Sequence, residues 1–270
     1  MSAPAPKKHL GQNFLINTGV CEKIALACGG GVNTGVIEIG PGRGALTCEL
    51  AKCAARVVAI ELDEDVIPVL ADKLSSFDNV DILSGDALEV DFRELAAQHL
   101  AGMDVVIAGN LPYYITSPLV MKVLESRTGA KHAVFMVQKE AAARLCAAER
   151  SRECGASTLA VRWYSEPEIL FDVSPGSFFP APSVMSTVVR FTLREGEPEQ
   201  VRDATFMFSL IKAAFSQRRK TAANAISSGA RLEKAAVISA MRSLGIDESI
   251  RPERLGMSEY AALSDALGQA

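Results

Sequence analysis

A chain of 270 residues, 49% hydrophobic, is long enough for one full α/β domain with a smaller appendage and can bury a substantial core. Its net charge of −4 and pI near 5.5 exclude a uniformly basic nucleic-acid binder, so any RNA or DNA contact has to come from a local patch. Six cysteines without a Cys-x-x-Cys pair and three scattered histidines (His9, His99, His132) indicate neither a disulfide framework nor a metal site, and the absence of a long apolar run or apolar leader predicts a cytoplasmic protein with no membrane span.

Short β-rich runs alternate with helical patterns along the first half of the chain. Strands are predicted over residues 35–39 (GVIEI), 56–61 (RVVAIE), 80–83 (VDIL), 103–108 and 132–137 (HAVFMV), with helical segments such as 45–52 and 65–74 between them. That rhythm predicts a parallel sheet with helices on both faces. After Thr158 it changes: residues 158–164 (TLAVRWY) and 186–193 (STVVRFTL) read as two strands joined by a Pro-rich loop, an antiparallel hairpin closing one edge of the sheet. The polar stretch 194–200 (REGEPEQ) reads as a linker and everything beyond it as helices, which predicts a domain over 1–198 and a helical one over 199–270.

The first strand runs into EIGPGRGALT (38–47), where Gly40, Gly42 and Gly44 let the backbone approach a ligand at the start of a helix. This loop also satisfies the G-x-G-x-x-G/A dinucleotide fingerprint, so alone it leaves NAD and S-adenosylmethionine both open. Glu61 closes the second strand about twenty residues later, where a carboxylate can accept both hydroxyls of a ribose. Asp86, in SGDAL after the third strand, can accept from an adenine amino group or cap the next helix. Together these groups mark the C-terminal ends of three successive strands, where open α/β sheets bind ligands.

The fourth strand ends in GNLPYYITSPL (109–119). A turn explains Asn110 and Pro112 but does not ask for two tyrosines. An adenine amino group is a poor nucleophile because its lone pair is delocalised into the ring. The Asn110 side-chain oxygen and the Leu111 carbonyl could both accept from that group and localise the lone pair toward a methyl donor. Pro112 stiffens the turn, and Tyr113 offers a π-face for the base, worth roughly 1–3 kcal/mol. Such a site carries out in-line methyl transfer without a strong general base.

GQNFL (11–15), EIGPGRGALT, IELD (60–63), GDAL (85–88), GNLPYYITSPL, FMVQKE (135–140), SFFPAPSV (177–184) and FSQRRKT (215–221) follow one another in order. This set resembles the ribosomal RNA small-subunit adenine N6-dimethyltransferase family, the enzymes whose loss confers kasugamycin resistance. The resemblance implies a class I S-adenosylmethionine-dependent methyltransferase fold: a Rossmann-like, seven-stranded, mostly parallel sheet with an antiparallel edge hairpin, and a small all-helical C-terminal domain. It further implies S-adenosylmethionine as methyl donor and S-adenosylhomocysteine as product. The implied substrate is two adjacent adenines in the 3'-terminal hairpin of 16S rRNA, dimethylated on the small (30S) ribosomal subunit or its precursor by a monomer that also serves subunit assembly.

Carried over by position, the family's cofactor contacts fall on Asn13, Leu15, Gly40, Gly42, Glu61, Asp86 and Asn110. Asn110, Leu111, Pro112 and Tyr113 would hold the target base, and Phe178 would cover its other face. Read from the residues alone, GQNFL is a helix entry with Phe14 as a staple, and Phe178 is core. The chain departs from the family at Cys154-Gly155, where a Tyr often precedes the Gly.

Residues 204–232 carry Lys212, Arg218, Arg219, Lys220 and Arg231 with no Asp or Glu, a local charge of +5 inside an acidic protein. Arg218, Arg219 and Lys220 are the expected RNA contacts, in a helical pattern. A 23S rRNA adenine N6-methyltransferase shares these motifs, but FSQRRKT and residues 251–263 (RPERLGMSEYAAL) resemble the small-subunit enzymes. A noncatalytic ribosome assembly factor would not need the intact Asn110-Leu111-Pro112-Tyr113.

Overall fold

The computed structural model describes residues 5–7, 10–217 and 219–268. The chain divides into two compact units, the first formed by residues 1–142 and 165–195, the second by 143–164 and 196–270.

The first unit holds strands β1 (Phe14–Leu15), β2 (Gly31–Ile39), β3 (Ala54–Glu61), β4 (Val80–Ser84), β5 (Asp104–Asn110), β6 (His132–Gln138), β7 (Ser165–Val173), β8 (Phe178–Phe179) and β9 (Ser186–Leu193). Its helices are α1 (Thr18–Ala27), α2 (Ala45–Cys53), α3 (Ile67–Leu74), α4 (Phe92–His99) and α5 (Thr116–Glu125), and the division between units falls inside α6 (Lys139–Leu145). Seven strands form one sheet in the order β4-β3-β2-β5-β6-β9-β7, and β1 pairs separately with β8. β4, β3, β2, β5 and β6 run parallel, and β9 is antiparallel to both β6 and β7. The central strands are apolar on both faces: Ile37, Val57, Val58, Ile107, Ala108 and Val134 are all fully buried, as a sheet covered on both sides requires.

Register aligns the functional ends. Ile39 pairs with Ile60 on one side and Gly109 on the other, and Glu61 pairs with Ser84. Gly40, Glu61, Asp86 and Asn110, each at or just beyond a strand end, therefore emerge along one edge of the sheet.

The second unit contains α7 (Ala156–Tyr164), α8 (Ala204–Phe215), α9 (Ala222–Ala230), α10 (Lys234–Ser243) and α11 (Met257–Leu267). They close over a core of Leu159, Trp163, Met207, Leu210, Ile226, Met241 and Tyr260. Asp203 caps α8 by accepting from the Phe206 N–H at 2.9 Å, and the buried Tyr260 hydroxyl donates to the Pro252 carbonyl at 3.1 Å. Among the described residues no helix is long and apolar enough to cross a membrane.

Two expectations from the sequence need correction. Residues 158–164 are helix α7, not a strand, and the edge strand paired with β9 is β7, directly after it. TLAVRWY fits period 2, but Leu159 and Trp163, four apart, both turn into the helical core, and Thr158 Oγ1 accepts from the Gly155 N–H at 3.0 Å at the helix entry. The second correction concerns the domain limits: the helical unit also takes residues 143–164, so a single cut after 198 does not separate the two units.

Candidate active site

The glycine loop after β2 turns sharply because its backbone is left-handed at Gly40 (φ 68°) and Gly42 (φ 53°). A Cβ on Gly42 would lie 2.9 Å from the Phe14 ring, so this glycine lets β1 pack onto the loop. A Cβ on Gly40 would meet nothing nearer than the Asn110 carbonyl at 3.9 Å, and this glycine faces the cleft. Helix α2 follows at once, and its N-cap, Gly44, supplies no side-chain cap for the first-turn N–H groups.

The carboxylates on the edge are held from several sides. Glu61 accepts from the Gly42 N–H at 2.9 Å through Oε2 and from the Asp63 N–H at 2.8 Å through Oε1. Burial pushes its carboxyl above the usual range despite these two bonds. Burial would raise Asp63 as well, but the Lys7 ammonium (2.6 Å) and the Gln12 amide (2.7 Å) bond it, and its carboxyl lies below the usual range. Gln12 in turn accepts from the Lys7 backbone N–H at 2.7 Å. Lys7 and Gln12 are thereby strapped to the end of β3. Asp86 spends one oxygen, Oδ1, on the Leu88 N–H at 2.8 Å, closing a turn that fixes the carboxylate in the cleft wall.

Across the cleft, Asn110 Nδ2 donates to the Asn13 carbonyl at 3.0 Å. That bond orients the amide, and Oδ1 is left as an acceptor at the cleft wall. The turn behind it is pinned: the Leu111 N–H donates to the Met136 carbonyl at 3.1 Å, and the Pro112 carbonyl accepts from Thr116 Oγ1 at 3.1 Å. The Tyr113 hydroxyl lies 2.9 Å from Ser186 Oγ, which fixes the ring, and burial raises its phenol above the ordinary value.

Phe178 does not join these groups. It pairs with Leu15 across the β1–β8 ladder and packs into the core with Leu15, Ala108, Met136 and Val188. Adjacent side chains on an extended segment point to opposite sides, so Phe178 goes in and Phe179 goes out, 53% exposed. The Arg43 guanidinium lies 4.5 Å from the Phe14 ring centre and 5.9 Å from that of Phe179. Leu15, expected as a cofactor contact, is 7% exposed and lines not the main cleft but a smaller hollow that also borders the glycine loop.

The main cleft, counted with the space it opens to solvent, spans about 790 Å³, and its walls include Asn13, Gly40, Gly42, Glu61, Asp86 and Asn110, with Leu111, Pro112 and Tyr113. A fixed carboxylate at the ends of β3 and β4, a bare glycine backbone and an apolar rim (Ile39, Ile60, Leu62) fit an adenosine-bearing ligand. Residues 5–266 match the model of a family described as ribosomal RNA adenine dimethylase. The chain belongs to that family. It is 43% identical over 265 residues to a ribosomal RNA small subunit methyltransferase A from Geobacillus thermodenitrificans, with 97% of this chain and 90% of the relative covered. A relative of the same description from Moorella thermoacetica is 42% identical over 267 residues, covering 97% and 92%. Among solved structures, a Plasmodium falciparum dimethyladenosine transferase superposes with a TM-score of 0.77 at 24% identity, covering 93% of this chain and 95% of that one. The 23S rRNA methyltransferase ErmE gives 0.69 at 24% identity, covering 95% and 100%, and both share the fold.

As an adenine dimethylase of this family, the protein is an enzyme that uses S-adenosylmethionine as methyl donor and rRNA as substrate. Of the expected RNA contacts in this family member, Arg218 lies outside the described residues. Arg219 and Lys220 are exposed, but in the turn between α8 and α9 rather than in a helix, because α8 ends at Phe215. No local pattern assigns a role at the cleft to Lys7, Gln12 or Asp63, whose partners are far apart in the chain, or to Tyr114, whose ring packs on Gly11 beside the cleft. The only signal for Asp63 was its place in IELD.

Proposed function

We propose that this enzyme dimethylates N6 of two adjacent adenines in the 3'-terminal hairpin of 16S rRNA, working as a cytoplasmic monomer on the small ribosomal subunit or its precursor, with a part in subunit assembly. The observation that carries the chemistry is the Asn110 amide, whose nitrogen is engaged by the Asn13 carbonyl and whose oxygen is therefore the atom offered to a substrate amino group. The match to small-subunit relatives over nearly the whole chain supports the choice of 16S over 23S rRNA.

When bound, S-adenosylmethionine supplies an electrophilic methyl on a sulfonium. Glu61 would hold its ribose hydroxyls, Asp86 its adenine amino group, and the backbone of Gly40 and Gly42, with Asn13, its remaining polar groups. On the substrate side, Asn110 Oδ1 accepts an N6 hydrogen and draws the lone pair out of the ring. Tyr113, anchored through its hydroxyl, gives the extruded base a fixed face to stack on, which offsets an unstacking cost of a few kcal/mol. Orientation and lone-pair localisation do the work, so no side chain needs to be a strong base.

The test is to incubate the protein with labelled S-adenosylmethionine and unmethylated 30S subunits, 50S subunits or naked rRNA, and to map the modified bases. Label in two adjacent adenines of 16S rRNA is expected. Label confined to 50S subunits would overturn the substrate assignment, and cofactor binding without any transfer would favour a noncatalytic assembly factor.

A further inference from the structure

Two tyrosines follow Pro112, and only the first has a part in that chemistry. Tyr113 is half-buried, with its hydroxyl 2.9 Å from Ser186 Oγ. Tyr114 lines the same cleft but is 57% exposed. Single exposed aromatics are ordinary on a protein surface, so exposure alone assigns nothing. What sets Tyr114 apart is where it stands and how it is held.

Its ring is seated on the N-terminal segment. A Cβ on Gly11 would lie 3.2 Å from Tyr114 Cδ1 and 3.3 Å from Cε1, and the Gly11 backbone is left-handed (φ 60°), so both the close approach and the conformation favour glycine there. The Gly11 carbonyl accepts from Asn13 Nδ2 at 3.2 Å, and the Asn13 carbonyl accepts from Asn110 Nδ2 at 3.0 Å. The seat of the Tyr114 ring is thereby joined through Asn13 to the amide assigned to the target amino group. The turn sets its backbone: the Pro112 carbonyl accepts from the Ile115 N–H at 3.2 Å and from Thr116 Oγ1 at 3.1 Å. An aromatic ring backed along one side by a glycine, and otherwise open to solvent, therefore stands one residue, about 3.8 Å of backbone, from the ring assigned to the target base. Consecutive bases of a strand are spaced on the same scale, about 3.4 Å when stacked. With one base drawn in against Tyr113, its neighbour arrives at the cleft mouth, where Tyr114 stands.

We propose that Tyr114 is the stacking platform for the base next to the one being methylated, and that it sets the enzyme's register on a pair of adjacent purines. This role rests on the reading that the substrate is two adjacent adenines. Extruding one base strips its neighbour of a stacking partner, and the Tyr114 ring replaces that partner. A purine offers the ring a larger face than a pyrimidine does, so the adenine not being methylated is itself a recognition element. It is read by its face and not by its amino group, so it is accepted both before and after its own methylation. Tyr114 touches no reacting atom and is a binding residue in this scheme.

Small subunits with uracil in place of one or the other adenine leave a single target in each. The kcat/KM for each remaining adenine, relative to the same adenine in unsubstituted subunits, is measured with wild type, Tyr114→Ala and Tyr114→Phe. Wild type is expected to lose about fivefold or more on one of the two substituted subunits, the one whose uracil falls on Tyr114. Tyr114→Ala is expected to be slower by a similar factor on unsubstituted subunits and to lose less than about twofold further on substitution, the coupling expected of groups in contact. Tyr114→Phe, which keeps the ring, should behave as wild type, and calorimetry should find S-adenosylmethionine affinity unchanged in both variants. Where Tyr114→Ala does not fold, Tyr114→Leu, which covers Gly11 without a π-face, carries the same expectation. No uracil sensitivity in wild type, equal sensitivity in wild type and Tyr114→Ala, or a loss of cofactor affinity that accounts for the slower transfer would overturn the proposal. A wild type that leaves unsubstituted small subunits unlabelled would instead defeat the 16S reading, and the two failures are distinct.

Discussion

In the cleft, Glu61 is held by the Gly42 and Asp63 N–H groups, Asp63 by Lys7 and Gln12, and Asn110 by the Asn13 carbonyl. In the turn between α8 and α9, Arg219 and Lys220 stand exposed in solvent. The first arrangement fixes where each oxygen points, which a reaction at one exocyclic nitrogen requires. The second keeps its charge available to phosphates at a distance, which suits a long RNA whose sequence is read elsewhere. Truncations in the cleft should therefore act through packing, affinity or rate, and truncations in the turn through salt dependence alone.

The largest stability effect is expected at β8. Phe178→Ala should destabilise the protein by about 3–5 kcal/mol, while Phe179→Ala should stay within about 0.5 kcal/mol, both read from urea unfolding. Equal effects would mean that Phe178 is not core. Next, Glu61→Ala should weaken S-adenosylmethionine binding by about 1.5–3 kcal/mol in calorimetry. Unchanged affinity in a folded variant would remove Glu61 from the cofactor wall.

Smaller effects separate the two regions more sharply. Replacing Arg219 and Lys220 with Gln should flatten the salt dependence of subunit binding by at most about 0.7–0.9 log unit of slope per lost phosphate contact. Cofactor affinity should not move. A parent-like slope would make the turn structural. The smallest effect concerns the strap at Lys7. Because the Asp63 carboxyl is held below its usual range in the folded protein, its bonds stabilise the fold above the unfolded value near about 3.9, and that contribution is lost as pH falls through the lower folded value. Lys7→Met should therefore melt below wild type at pH 7, with the gap closing toward pH 3. A gap independent of pH would place the effect outside the Lys7–Asp63 pair.

The parallel strands were legible to within a few residues because strands buried on both faces are written as apolar runs, as in RVVAIE and HAVFMV. β7 was not. It is an edge strand carrying Glu166, Pro167, Glu168 and Asp172 with a register shift between Ile169 and Phe171, features that protect an edge and erase the strand pattern. The glycine loop, Glu61, Asp86 and Asn110 could be placed from strand ends alone. Which of Phe178 and Phe179 turns inward depends on pairing with Phe14 and Leu15, more than 160 positions earlier, and no local pattern carries that register. The same holds for the Asn110–Asn13 bond, whose partners are 97 residues apart, and for Lys7–Asp63, 56 apart.

Single-turnover transfer by Asn110→Ala at saturating S-adenosylmethionine, on unmethylated small subunits beside wild type, tests the role proposed for the Asn110 amide most directly. A fall of about 100-fold or more, roughly 2.7 kcal/mol in barrier, with binding to the subunit retained, is the expected result. Transfer within about threefold of wild type, roughly 0.7 kcal/mol, would contradict the account.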